Sequence, residues 1–237
     1  EAYAKGRLAS TLLFTGPSGV GKRLVARALA QVMMCEKAGA TACGVCGPCL
    51  RIEKGASESL MAVEPDGALI KIEQSRDILQ FISLRRLGRA RVVIIDQAHL
   101  MNPHAANSLL KSLEEPPDGT YFILITPVVG SILPTIRSRS QQVRFGPLTD
   151  EELTRVLGPE RGDPWIVEAA HGSVEAAERL LESREEFQEL EEAVGHARHG
   201  AGQEPLQAET GQQGAQFDRG VVAHLLAHDI TVRGVRF

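Results

Sequence analysis

At 237 residues, 43% hydrophobic and 24% charged, the chain has enough apolar material for a real core and the length of one α/β domain with one or two smaller helical units behind it. A formal net charge of −4 excludes a general polybasic binder, so any nucleic-acid contact must come from a local patch or from partner chains, and 4% aromatics argue against base-stacking platforms. No apolar run reaches membrane-spanning length and the first residues form no signal peptide, so a cytoplasmic protein without a membrane partner is expected; the opening on Glu1 implies N-terminal sequence not shown here.

Residues 10–15, Ser-Thr-Leu-Leu-Phe-Thr, read as an apolar strand that runs into Gly16-Pro17-Ser18-Gly19-Val20-Gly21-Lys22-Arg23, and residues 22–34 read as the helix that follows. Strand, glycine-rich turn and helix in that order are the context of a phosphate-binding loop. Cys35 opens an insertion that closes near Cys49, with helix resuming over 50–54. Residues 69–85 mix a short strand with an amphipathic helix, and 91–96 read as a buried parallel strand with an acidic end. A helix over 103–114 stops at Pro116-Pro117, and 121–126 is another buried strand. After Pro147, Thr149 and Glu152 have capping-box spacing. The chain then reads as mostly helical, with separate short helices over 172–181 and 185–194 and a linker-like, aperiodic stretch over 195–220.

In the loop, Gly16, Gly19 and Gly21 permit tight turns, backbone N–H groups converge on phosphate, and Lys22 reaches the outer phosphates. The next position should carry a hydroxyl for Mg²⁺. Arg23 supplies a cation and no oxygen. A second departure follows the strand at 91–96, where Asp96 is suited to face a metal but Gln97 stands where a carboxylate would activate water. His99 is better suited to capping or packing than to acting as the base. Both departures predict a chain that does not hydrolyse nucleotide by itself. The four cysteines, Cys35, Cys43, Cys46 and Cys49, carry two overlapping C-x2-C pairs and read as a closed structural zinc site, the competing reading being four buried free thiols or an oxidised remnant.

The phosphate loop, the C-x7-C-x2-C-x2-C insertion, the strand ending at Asp96, the run Ala105–Pro117 and Ile136-Arg137-Ser138-Arg139-Ser140 occur in the order found in bacterial DNA polymerase III clamp-loader subunits. Over residues 10 to about 150 the chain resembles that branch of the AAA+ proteins, and most specifically its delta-prime type, in which the ATPase centre is commonly degenerate. Active gamma or tau subunits keep Ser or Thr after the lysine and an Asp-Glu pair after the strand. Arg23 and Gln97 depart from that pattern, Ser140 departs from the family's Ser-Arg-Cys motif, and the first cysteine interval is seven residues where eight is frequent.

The resemblance implies an α/β AAA+ P-loop domain over 1–149 with the Cys₄ insertion at 35–49, a small helical lid over 150–183, and an incomplete helical collar over 184–237. It implies a degenerate nucleotide site at Gly16, Gly19, Gly21, Lys22, Asp96 and Thr126, with Thr126 a remnant of a polar sensor and ATP and Mg²⁺ held by neighbouring subunits. Arg139 becomes the candidate finger that stabilises charge on a neighbour's γ-phosphate; read from the residues alone, Arg137 and Arg139 are equally a solvated basic turn or salt-bridge pair. The start of the 103–114 helix offers Asn102, His104, Asn107 and Ser108 to a phosphate, and the resemblance adds Arg76 as a second DNA-facing candidate. Arg85, Arg86, Arg89 and Arg91 read as a solvated turn or as a subunit or phosphate contact. The implied partners are gamma/tau and delta subunits, a sliding clamp and primer-template DNA. Two other functions stay open at this level: an active clamp-loader ATPase subunit, and a zinc-stabilised nucleic-acid adaptor.

Overall fold

The computed structural model describes residues 3, 8–37, 39, 41–158 and 161–199, with side chains described as far as 186. The chain divides into two compact units, the first ending at Pro147 and the second beginning at Leu148.

Five parallel strands build the first unit: β1 (Thr11–Thr15), β2 (Leu60–Val63), β3 (Arg91–Ile95), β4 (Thr120–Thr126) and β5 (Gln141–Arg144), in the order β2-β3-β4-β1-β5. Helices α1 (Lys22–Met34), α2 (Gly47–Glu53), α3 (Ile72–Ser83), α4 (Pro103–Glu114) and α5 (Pro134–Arg137) connect and cover them. Because parallel strands are joined by crossovers that cover both faces, β1, β3 and β4 are buried at nearly every position, and apolar between their ends. Alternation then sorts their side chains. Leu13, Val93, Ile95, Phe122 and Leu124 pack with Ile78 and Ile82 of α3 and Leu109 and Leu113 of α4. Leu12, Phe14, Val92, Ile94, Ile123 and Ile125 pack instead with Ala26, Ala30 and Met33 of α1 and Ile52 of α2. The small residues of α1 let that helix lie close to the sheet beside the phosphate loop.

Most predicted elements of this unit form where the sequence places them, including α1, α4 and β4. Two strands escaped the sequence reading. β2 has only four residues, and β5, Gln-Gln-Val-Arg, buries only Val143, so neither carries a periodic signal. The helix after the insertion starts at Gly47 rather than at 50, which places Cys49 inside it.

Arg91 opens the strand expected over 91–96, and its side chain is not part of the solvated turn that is one reading of the basic run. It is the first residue of β3, is buried, and donates to the carbonyls of Ile82 at 3.0 Å, Leu84 at 2.7 Å and Arg85 at 2.9 Å. These carbonyls lie at and just beyond the C-terminus of α3, where a helix leaves acceptors unpaired and favours a cation.

The second unit contains α6 (Asp150–Leu157), α7 (Pro164–Ala169) and α8 (Val174–His199) around Leu153, Ile166, Val167, Ala170, Ala177 and Leu181. Thr149 and Glu152 form the reciprocal capping box of α6. Where two helices were expected over 172–181 and 185–194, one helix runs through Glu182–Arg184. Glu182 and Arg184 are good helix formers, and no glycine or proline interrupts the stretch. The linker expected over 195–220 therefore begins inside a helix as far as His199; its remainder, and the rest of the expected collar to 237, lie outside the described residues.

Candidate functional site

The C-terminal ends of four adjacent strands converge on one edge of the sheet: β1 enters the glycine loop, β2 ends before Glu64, β3 before Asp96, and β4 ends at Thr126. This is the edge at which open α/β sheets bind ligands. Gly16 has φ 138°, and a Cβ there would stand 2.1 Å from the Phe145 carbonyl oxygen, so the loop closes only around hydrogen. Gly21, at φ 82°, is the left-handed residue that turns the loop into α1.

Lys22 is buried, and its ammonium donates to the carbonyls of Gly16, at 2.8 Å, and Pro17. Arg23, one position on, is ion-paired with Glu64, and its Nη1 lies 3.7 Å from Asp96 Oδ2. The other Asp96 oxygen accepts from the Gln97 backbone N–H at 2.8 Å. Gln97 itself adopts φ 48°, a left-handed conformation uncommon outside glycine. His99 lies in the turn Ala98–Leu100, with its Nδ1 buried and without a hydrogen-bond partner among the described residues. Thr126 is fully buried, and its hydroxyl both donates to the Val128 carbonyl and accepts from the Val128 N–H at 3.1 Å, closing the turn after β4. A Mg²⁺ ion does not fit this donor set: the side chain that should coordinate it is a cation directed at the carboxylates. Glu64 was missed by the sequence reading because its strand was missed; an acidic residue ending a short apolar run before Pro65 was the available signal.

Around the insertion, the four cysteine sulfurs lie within 4.8 Å of one another, with Cys35 and Cys46 sulfurs 4.0 Å apart. A tetrahedral zinc thiolate, with Zn–S of about 2.3 Å, separates its sulfurs by about 3.8 Å, so the donor set fits a metal ion of that type. Backbone N–H groups are already directed at sulfur, from Cys43 to Cys35 and from Cys46 to Cys43, both at 3.4 Å. The Val45 backbone N–H is the leading cause that brings the Cys43 thiol down to about 6, whereas burial pushes Cys49 up to about 12. A bound divalent ion supplies the charge that a buried thiolate otherwise lacks. Gln31 of α1 donates to the Cys49 carbonyl at 3.3 Å, and Arg89 to the Cys35 carbonyl at 3.0 Å.

The basic run before β3 is accordingly structural at three of its four positions. Arg89 anchors the cysteine loop, Arg91 seals α3, and Arg86 donates to the Asp118 carbonyl at 2.8 Å.

Arg139 sits in the turn between α5 and β5. Its Nε is 2.9 Å from Glu114 Oε2 at the end of α4, and its Nη1 donates to the Thr135 carbonyl at 3.0 Å. The salt-bridge alternative is thus present within the chain, but with Glu114 as partner.

On the candidate DNA face, Ser75 of α3 is fully buried and donates to the Ala105 carbonyl in the first turn of α4 at 3.2 Å, which sets the starts of the two helices side by side. Arg76, His104 and Asn107 are exposed there. Asn102 instead uses its side chain to cap α4, accepting from the Ala105 N–H at 2.8 Å, and Ser108 donates to the Ala105 carbonyl at 2.8 Å. Only three of the five candidates therefore present an uncommitted surface side chain.

The family model described as "DNA polymerase III, delta subunit" matches residues 1–149. Among curated proteins, the chain is 40% identical over 138 residues to DNA polymerase III subunit delta' of Pseudomonas aeruginosa, covering 56% of this chain and 42% of that one. It is 38% identical over 156 residues to subunit tau of Escherichia coli, covering 64% of this chain and 24% of that one. The matched region thus spans less than half the length of either relative. A solved DNA polymerase III gamma subunit-related protein from Thermotoga maritima shares the fold at TM-score 0.50 and 22% identity, over 77% of this chain and 60% of that one.

Proposed function

The chain belongs to the DNA polymerase III delta-subunit family, and we propose that within it this is a delta-prime-type clamp-loader subunit that does not itself hydrolyse ATP. The observation that carries the reading is Arg23, which directs a guanidinium at Glu64 and Asp96 in place of a metal-binding hydroxyl. Gln97 supports it independently, because an amide is a poor proton acceptor for an attacking water. Similarity to tau is nearly as high as to delta', so the competing reading is an active ATPase subunit.

In the proposed role the chain sits beside an ATP-binding gamma or tau neighbour and a delta subunit, and supports opening of a sliding clamp and its loading on primer-template DNA. Arg139 then leaves Glu114 to place its donors on the neighbour's γ-phosphate, where negative charge grows during phosphoryl transfer. The pairing with Glu114 is exposed enough to be exchanged at little cost. Arg76, His104 and Asn107 would contribute sequence-independent contacts to DNA phosphates. We assign zinc to the cysteine cluster, where it would hold the insertion closed without an open coordination position. Residues 150–183 take the role of the lid, with the collar over 184–237, and α8 runs across that boundary.

The test is a reconstituted loader. Arg139→Ala is expected to lower DNA-stimulated ATP turnover by about a hundredfold or more with assembly intact, as loss of a trans-acting arginine does. Unchanged turnover would overturn the finger assignment. Mg²⁺-dependent turnover by the isolated chain, abolished by Lys22→Ala, would instead establish the active-ATPase reading.

A further inference from the structure

We infer that Arg23 is a resident replacement for a divalent cation, shared between Glu64 and Asp96, and that removing its guanidinium uncovers a divalent-cation site in this chain. The inference deepens the non-hydrolysing reading and rests on it. Val63 and Ile95 pair in register across β2 and β3, so the residues that follow them, Glu64 and Asp96, leave the sheet as neighbours. A cation placed between two carboxylates is attracted by both. Arg23 supplies the cation: it is paired with Glu64 and 3.7 Å from Asp96.

The position of Arg23 strengthens the case. It is the second residue of α1, where the helix dipole disfavours positive charge and no acidic residue occupies the first turn. The partners that offset this come from β2 and β3, not from the helix. The Asp96 carboxylate and the Glu64 backbone are also held by contacts that do not involve Arg23. Asp96 accepts from the Gln97 N–H, and the Glu64 carbonyl accepts from Gln74 Nε2 at 2.7 Å, which fixes the end of β2 to the start of α3. The two chain positions, and the Asp96 carboxylate itself, therefore keep their places when Arg23 is shortened. Hard oxygen donors of this kind suit Mg²⁺ or Mn²⁺, whereas the cysteine cluster selects softer ions.

The experiment uses Mn²⁺ alone as the probe, followed by water-proton relaxation on the intact, zinc-loaded chain. Arg23→Ser is expected to bind Mn²⁺ at least about tenfold more tightly than the wild type, and Arg23→Ser combined with Asp96→Asn to lose that gain. Arg23→Lys, which keeps a cation, is expected to behave as wild type. Equal Mn²⁺ binding by wild type and Arg23→Ser overturns the inference, as does a gain that survives Asp96→Asn. Arg23→Gln repeats the measurement with a longer neutral side chain, and a folded Arg23→Ser and Arg23→Gln that both fail to gain Mn²⁺ also overturn it. Wild-type ATP turnover, measured in parallel with Mg²⁺, separates the two failures: turnover overturns the non-hydrolysing reading, whereas equal Mn²⁺ binding without turnover removes only the role given to Arg23.

Discussion

Replacing Arg91 by Met keeps most of the aliphatic stem and removes the guanidinium that closes α3. Three carbonyls, those of Ile82, Leu84 and Arg85, lose their donor, and the cation leaves the Phe81 ring 5.1 Å away. Hydrogen bonds to a charged donor contribute about 1.5–3 kcal/mol each, so the gross loss is about 4.5–9 kcal/mol. Two effects reduce it. Burial already draws the guanidinium below its usual range, a sign that its charged form is poorly solvated here, and the carbonyls nearest the surface regain water. A net destabilisation of about 3 kcal/mol follows, equivalent to about a 150-fold rise in the opening equilibrium. The two compact units need not unfold together, so global melting is a poor readout. Hydrogen exchange of the α3 and β3 amides in the regime that reports opening equilibria measures the local effect directly. Arg91→Lys, retaining charge but fewer directed donors, should lose about half as much. A change below about fivefold for Arg91→Met would show that Arg91 is a tolerated buried cation and not the seal of this helix end.

Gly16→Ala should destabilise the first unit by about 2–4 kcal/mol, because the added carbon meets the Phe145 carbonyl 2.1 Å away; denaturant unfolding that leaves stability unchanged would contradict the loop geometry. Metal removal should leave Cys43 alkylated rapidly at pH 7 and Cys49 protected. With its thiol lowered to about 6, Cys43 falls from mostly thiolate at pH 7 to mostly thiol at pH 5, so its rate should drop by about tenfold, as read by peptide mass spectrometry. Restored metal should protect both cysteines, and equal rates in the stripped and loaded protein would count against a Cys₄ centre. Glu114→Gln in a reconstituted loader should raise the neighbour's apparent ATP affinity by no more than about fivefold, because an exposed pair contributes only about 0–1 kcal/mol. A fall in turnover matching Arg139→Ala would mean that Glu114 positions the arginine instead of competing for it.

The sheet was legible wherever burial on both faces forces a continuous apolar run: Leu-Leu-Phe in β1, Val-Val-Ile-Ile in β3 and Phe-Ile-Leu-Ile in β4 can do little else in an α/β chain. β5 was not, since an edge strand with Gln141, Gln142 and Arg144 has only Val143 to bury and is recruited by pairing with β1. Missing β2 had a larger consequence: it hid Glu64, the residue that shows what Arg23 is paired with. The phosphate loop and the cysteine set were readable because their chemistry is encoded in spacing along the chain. The Arg23–Glu64 pair joins residues 41 positions apart and depends on which strands are neighbours, a fact that only the fold supplies.

Arginine is the residue for which local sequence misled most, and the reason is physical. Its charge is fixed at any accessible pH, so its role is set entirely by what the fold places within reach of five donors. Arg89 and Arg91 lie two residues apart in what reads as one basic run, yet one anchors the Cys35 carbonyl and the other closes α3. Arg23 meets two carboxylates; Arg139 meets one, together with the Thr135 carbonyl in the short helix α5 that precedes it. Solvent reaches both pairs: the side chains of Arg23 and Glu64 are 65% and 47% exposed and those of Arg139 and Glu114 33% and 53%, so what distinguishes Arg139 is its single carboxylate partner and not greater exposure. In the proposed role, Arg139 gives up one surface carboxylate, an exchange that costs about 0–1 kcal/mol, to reach a neighbour's phosphate.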